Sequence, residues 1–404
     1  LIERFIAMKK LLLALFMVST MISADNNPDE IRKRAESLAK EIIIVDTHID
    51  LPGRLQYKWE DISQSTGGDF DYHRAKSGGL DVAFMSVYVA ARFENNGAKI
   101  EADSVINIVE RILNENPDKF ARADSPSDVY QNFKNGKISL PMGMENGSPI
   151  EGDLKNLKYF YDRGIRYITL AHSKSNHICD SSYDPERKWK GLSPFGKEVV
   201  KEMNRLGIMI DVSHITDEAF YQVMEQSKAP VIASHSSCRF FTPDFERNMD
   251  DNMIKALAKN GGVIQIAFVS NFLSKEIRDK EIKNRAAIAE HLRANNIPSN
   301  DKRASEFAAK YWNENPVGYA DVKDVVRHIS HVVKLVGINH VGLGSDFDGA
   351  GDSFPYGLKD VSYFPNLIYE LLVAGYSKED IQKICGGNLL RVWKQVEKVS
   401  ESSR

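Results

Sequence analysis

The sequence predicts an α/β fold, a (β/α)8 barrel of the TIM type with a helical insertion between its seventh and eighth strands. Two observations carry this. Eight apolar runs recur along the chain, most of them followed by a helical pattern, and parallel strands need crossovers of that kind. Most of the runs also end in polar residues of related chemistry, and barrels of this type collect their working side chains at the C-terminal ends of the strands. At 404 residues the chain has room for such a barrel with insertions. A doubly wound open sheet is the alternative that the same alternation allows.

In order, the runs are residues 42–50, 81–90, 138–146, 164–172, 207–214, 230–235, 262–268 and 340–348. The first opens with Ile42-Ile43-Ile44-Val45 and has no polar face there, as a strand buried on both sides requires. Ahead of it, residues 28–40 put Ile31, Ala35, Leu38 and Ala39 on one helical face. Helical patterns follow at 100–114, 154–163, 194–206, 217–225, 251–259 and 322–336, and two more, 360–374 and 378–398, follow the last run. Two connections are long. Residues 51–80, with Gly67-Gly68 and Gly78-Gly79, read as a covering loop. Residues 269–320 hold charged helical stretches at 274–294 and 304–313. Insertions of that size at strand exits build lids or interfaces, and the sequence leaves open whether this one is a lid, a homodimer contact or both. No repeat or Pro-rich linker divides the rest, so residues 25–404 are expected to form one domain.

The apolar content of 42% and charged content of 27% are those of an ordinary globular protein. A net charge of −3 without a basic run argues against a nucleic-acid partner. The first 24 residues differ in kind. Lys9-Lys10 precede the apolar Leu11-Leu12-Leu13-Ala14-Leu15-Phe16-Met17-Val18, and small residues follow up to Ala24. That is the pattern of a secretory signal cut after Ala24, with Met8 as the start and residues 1–7 as upstream sequence. The apolar core is short for a membrane span. No Cys stands near the cleavage point, and residues 397–404 are hydrophilic, so no lipid anchor is expected. The expectation is an exported protein, periplasmic or secreted, with no stable membrane anchor. Cys179, Cys238 and Cys385 are odd in number and form no C-x-x-C pair. Buried free thiols are expected, though one disulfide is compatible with an oxidising compartment.

The chemistry collects at the run ends. The first ends in His48-Ile49-Asp50, an imidazole and a carboxylate that strand alternation points the same way. The third presents Glu145, the fourth His172, the fifth His214, the sixth His235 and the eighth Asp346. Any one of these alone is more simply a capping or core residue. Four histidines and three carboxylates at the ends of six different runs converge on one face of a barrel. Imidazole with carboxylate suits zinc and similar divalent metals, and the inventory is large enough for two ions sharing a carboxylate. Such pairs activate a hydroxide and polarise a carbonyl. No nucleophilic Ser or Cys motif, phosphate loop or dinucleotide fingerprint competes. His291, His328, His331 and His340 fall in helical or strand-entry positions, and His73 and His177 in loops, where structural roles suffice.

Asp46-Thr47-His48-Ile49-Asp50 resembles the D-x-H-x-D signature of the membrane (renal) dipeptidase family, zinc dipeptidases on an amidohydrolase-type barrel. The likeness continues in order. It runs through Gly78-Gly79, Phe84-x-Ser86-Val87-Tyr88, Gly143-Met144-Glu145-Asn146-Gly147, Leu170-Ala171-His172 and Asp211-Val212-Ser213-His214. Ala233-Ser234-His235-Ser236, Arg247-Asn248-Met249-Asp250, Gly344-Ser345-Asp346-Phe347-Asp348-Gly349 and Gly386-Gly387-Asn388 complete it. The resemblance implies that His48 and Asp50 bind one zinc, His214 and His235 a second, and that Glu145 and a hydroxide bridge the two. It implies that His172 stabilises the oxyanion and that Asp346 moves the proton from water to the leaving amine. Arg247, a fork suited to a carboxylate, would hold the free C-terminus of a dipeptide, with tolerance of a C-terminal D-residue as a family expectation. By themselves Arg247 is equally a helix-start ion pair and Asp346 an N-cap.

Phe268 stands where the family often has Tyr, so one polar substrate contact is in doubt. Asp46, Asp211 and Asp348 are candidates for orienting the ligand imidazoles, and a cap or turn role fits each as well. A related barrel hydrolase of lactones, cyclic amides or phosphotriesters is the competing function. Arg247 discriminates, because a neutral substrate needs no carboxylate clamp.

Overall fold

Ten parallel strands form one sheet: β1 (Ile44–Ile49), β2 (Leu80–Tyr88), β3 (Phe120–Ala121), β4 (Ile138–Ser139), β5 (Met142–Glu145), β6 (Ile165–Thr169), β7 (Met209–Asp211), β8 (Ile232–Ser236), β9 (Val263–Ile266) and β10 (Val341–Leu343). The computed structural model that gives them describes residues 27–402, and the leader read at residues 1–24 lies outside these. Around the barrel the pairing runs β1-β2-β5-β6-β7-β8-β9-β10. These eight correspond to the eight apolar runs, with helices covering the outside, and the fold is the expected (β/α)8 barrel.

The ladder does not close by regular pairing of β10 with β1. The seam is joined just beyond β10, where Asp346 N donates to His48 O at 3.1 Å and Asp50 N donates to Phe347 O at 2.8 Å. Asp46 reinforces it, taking the backbone N–H groups of His48 and Ser345 on Oδ1. The third run is two strands rather than one. Pro141 has no N–H to give a ladder, and its carbonyl instead accepts from Met85 N at 2.8 Å. The short β4 pairs outward with β3, a strand too brief to leave a pattern in the sequence.

The helix bounds follow local chemistry. Pro194–Leu206 starts on the Ser193 hydroxyl, which accepts from Gly196 N, and stops at Gly207 in the left-handed region. The covering loop after β1 contains two short helices, Leu51–Tyr57 and Tyr72–Gly78, and the helix Pro126–Lys134 is also additional to the sequence expectation. The insertion between β9 and β10 is helical, as expected, with Lys275–Ala294 and Lys302–Glu314 at its centre.

The bottom of the barrel is plugged from the end of the chain. Trp393 and Leu389 on the helix Asn388–Ser402 pack among Val45, Val82, Phe84 and Tyr167 of the strands. The late Gly-Gly-Asn segment makes this turn. A Cβ on Gly386 would strike Val45 and the Ile43 carbonyl, and Asn388 Nδ2 donates to Ile338 O and Val341 O. The bottom filled, the top remains for chemistry.

Candidate metal centre

His48 is inside β1, Glu145 ends β5 and His235 is inside β8. The other expected strand-end residues stand just past their strands. His172 follows β6 by three residues, His214 follows β7 by three and Asp346 follows β10 by three. The cause is local. His214 and Asp346 have φ of 70° and 71°, a left-handed backbone that leaves the sheet and turns the side chain inward. Asp50 heads the helix Leu51–Tyr57 but makes no side-chain cap, so its carboxylate is free to face the centre.

The structure brings all eight expected residues together. Glu145 is the hub. Its Oε2 lies 3.5 Å from His48 Nε2, and its Oε1 lies 3.2 Å from His214 Nε2, 3.3 Å from His235 Nε2 and 3.5 Å from His172 Nε2. His48 Nε2 is also 3.5 Å from Asp50 Oδ2, and Asp346 joins these two in a group of donor atoms within 4.8 Å of one another. Arg247 Nη2 lies 3.0 Å from His214 Nε2 and donates to His235 O at 2.6 Å.

These spacings fit a metal. Two donors on one tetrahedral zinc, each about 2.0–2.1 Å away, sit roughly 3.3 Å apart. The hydrogen-bond partners agree. Tyr167 donates its O–H to Thr47 O, so it accepts from His48 Nδ1–H at 2.8 Å, which leaves Nε2 as the ring atom facing the hub, buried and without a hydrogen-bond partner. Ser234 donates to Asp211 Oδ2 and so accepts from His235 Nδ1–H at 2.8 Å, which leaves the His235 Nε2 lone pair facing the hub. A guanidinium only donates, so His214 Nε2 is an acceptor too. His214 Nε2 and His235 Nε2 lie 2.8 Å apart, two lone pairs that repel unless a cation stands against them.

Burial holds both His214 and His235 well below the usual imidazole range, with Arg247 adding to it at His214 and His48 at His235, so both stay neutral. Burial works against the Glu145 carboxylate, but the surrounding imidazoles prevail and hold it well below the usual carboxylate range. Burial pushes the Asp346 carboxyl well up, and the neighbouring Asp50 adds to this.

The candidates for orienting residues separate. Asp211 reaches His235 through Ser234 and also takes the Ser213 and Ser234 backbone N–H groups. Asp46 holds the His48 and Ser345 backbone N–H groups and hydrogen-bonds no imidazole. Asp348 ties down Arg54, 3.1 Å from its Nε, and the Asp69 backbone, and meets no imidazole. Phe268 is fully buried against Phe347 and Phe364 and is not among the residues lining the cleft. The three cysteines are free and buried, as expected.

A cleft of about 550 Å³ opens over the centre. Besides Asp50, Glu145, His172, His214, His235 and Asp346 it is lined by Arg54, Gln56, Tyr88, Tyr183 and Phe272, which the sequence did not single out as site residues. Tyr88 ends β2, so the strand-end rule reaches it, and its ring meets His172 edge-on at 4.9 Å. Tyr183 stands in an irregular connection and Phe272 on a one-turn helix, Ser270–Leu273, too short to leave a periodic signal.

A sequence model of the family described as "Membrane dipeptidase (Peptidase family M19)" matches residues 32–404. The chain is 34% identical over 343 residues to Dipeptidase aclJ of Aspergillus oryzae, across 83% of this chain and 72% of that one. It is 31% identical over 393 residues to the uncharacterized dipeptidase C965.12 of Schizosaccharomyces pombe, across 91% of this chain and 84% of that one. The crystal structure of the probable dipeptidase PvdM from Pseudomonas aeruginosa is similar with a TM-score of 0.82 at 29% identity, covering 92% of this chain and 100% of that chain.

Proposed function

The chain belongs to the membrane dipeptidase family of metallopeptidases, and from that premise we propose that it is an exported binuclear zinc enzyme cleaving the single peptide bond of dipeptides. One observation carries the binuclear reading. The two oxygens of Glu145 face different donors, Oε2 toward His48 and Oε1 toward His214 and His235, the arrangement of a carboxylate shared by two ions.

His48 and Asp50 would hold one zinc, His214 and His235 the other, and Glu145 both. Bound there, the pair would lower the pKa of a water and polarise the scissile carbonyl. His172 lies as near Glu145 as the ligands do, but its side chain is 21% exposed against 0–6% for the other three imidazoles. It therefore faces the substrate and donates to the oxyanion. Arg247 is buried, with Nε and Nη1 unpartnered, a fork left for the dipeptide's carboxylate. Asp346 accepts the proton of the attacking water and passes it to the leaving amine.

Among the described residues no helix is long and apolar enough to cross a membrane. Export rests on the signal pattern of residues 1–24, and mass analysis of the protein from a secreting host should give Asp25 as its first residue.

The test of the central proposal is metal analysis with an L-L and L-D dipeptide panel, with and without chelator. Two zinc ions per chain and turnover lost to chelator and restored by zinc are expected. Cleavage that ignores the chelator, or none with zinc restored, overturns it. Arg247→Ala separates dipeptides from neutral esters or lactones, since only a carboxylate substrate should lose efficiency, by about 100-fold.

A further inference from the structure

Next to the metal cleft lies a second chamber of about 620 Å³, lined among others by Tyr183, Phe245, Arg247, Arg278, Glu281 and Arg285. Tyr183 is common to both spaces. Its ring centroid is 5.9 Å from that of His214 on one side and 6.3 Å from that of Phe245 on the other. Arg247 stands at the same junction. The C-terminal residue of a dipeptide whose carboxylate is held by Arg247 would lie against this chamber, and its side chain is the part that can enter it.

Most of the chamber's charges are already matched. Arg285 pairs with Glu281 at 2.6 Å, Arg187 pairs with Glu246, and Arg247 is pinned by the His235 carbonyl. Asp244 is unpaired but exposed at the rim. Arg278 is different. It comes from the insertion helix Lys275–Ala294, is half-buried, has its guanidinium carbon over the Phe245 ring at 4.4 Å from the centroid, and has no acidic partner among the described residues. The aromatic contact fixes the guanidinium and leaves its N–H edge free, a geometry that suits a carboxylate.

We propose that Arg278 is a specificity residue that reads the C-terminal side chain of the dipeptide and favours an acidic one, aspartate or glutamate. This rests on the dipeptidase reading and on Arg247 as the clamp for the main-chain carboxylate. Two guanidiniums lining the chamber would then divide two carboxylates, Arg247 taking the α-carboxylate and Arg278 the side chain. The insertion gains a role in substrate choice.

The experiment compares kcat/KM on Ala-Glu, Ala-Gln and Ala-Ala for the zinc-loaded wild type, Arg278→Met and Arg278→Lys, and adds calorimetric binding of glutamate and glutamine, which needs no turnover. The wild type should favour Ala-Glu over Ala-Gln by about tenfold, mostly through KM, the size of one charge-assisted contact at a half-exposed site. Arg278→Met should bring that ratio to about one and Arg278→Lys should keep part of it. Ala-Ala hydrolysis should stay within about twofold of wild type in both variants. Equal treatment of glutamate and glutamine by the wild type, or a preference that survives Arg278→Met, overturns the proposal. Glutamate preference without any dipeptide turnover would instead overturn the dipeptidase reading and leave the assignment of Arg278 standing.

Discussion

His48 shows how little freedom a ligand residue has here. Its Nδ1 is committed to Tyr167, whose hydroxyl is committed to the Thr47 carbonyl, and Gly143 leaves the space under the Tyr167 ring that any Cβ would fill. Tyr167→Phe keeps the shape and removes the hydroxyl that fixes the tautomer. Zinc affinity should fall 10- to 100-fold, read by competition with a chromogenic chelator, with the fold retained; a change well under about 10-fold would remove Tyr167 from the support of the metal ligand. Asp346→Asn tests a different role. It should keep both zinc ions and lose turnover by about 100-fold or more, and turnover near wild type would remove Asp346 from the proton path. His328 gives a residue-scale prediction remote from the metals. It is buried, accepting from Cys238 N and donating to Leu273 O, and burial pushes its pKa down to about 3. The unfolded chain gains a proton near pH 6.5 that the folded chain refuses until about pH 3, so stability is lost as pH falls through that window. Between pH 7 and pH 5 the wild type should lose about 2 kcal/mol more than His328→Gln does, measured by urea unfolding of both.

At the scale of elements, the helix Asn388–Ser402 belongs to stability rather than chemistry. It closes the barrel at the end away from the cleft, and Trp393 is its largest buried side chain, tilted against Phe84 at a centroid distance of 5.4 Å. Trp393→Ala should cost about 3–5 kcal/mol, while activity per folded molecule is kept. Loss of activity at unchanged stability would contradict this division of labour. The elements also show what could be read from the chain. The helices Pro194–Leu206, Asp251–Lys259 and Val322–Val336 fall where the apolar spacing places them, because caps such as Ser193 and Asp321 and stops such as Gly207 coincide with the ends of the periodicity. His48, Glu145 and His235 were legible because they lie on strands. His172, His214 and Asp346 were legible as members of a set, but their placement past the strand ends depends on backbone turns that residue type does not encode. The two helices after β1 and the aromatic walls Tyr183 and Phe272 were not legible. Each is held by partners distant in sequence, as Tyr183 is by His214 and Phe245.

For the molecule as a whole, the centre acts as a clasp. Its proposed ligands come from β1 and the residue after it, from β5 and β8 and from the segment after β7, positions from His48 to His235 that an unfolded chain scatters. The barrel seam, joined by backbone bonds at His48, Asp50 and Asp346 rather than by a regular ladder, runs beneath the same residues. Metal binding is therefore folding energy as well as chemistry. An ion that binds the folded chain alone at 100 times its dissociation constant adds about 2.7 kcal/mol, and for a chain of this size each kcal/mol raises the melting temperature by roughly 2 °C. Removing two zinc ions should lower the melting point by about 10 °C, and returning zinc should restore it. Glu145→Gln takes the hub from both ions, so its melting point should lie near that of the stripped wild type and respond weakly to zinc. The stripped and loaded proteins melting together, at a measured difference of two zinc ions per chain, would show that the clasp does not hold the seam.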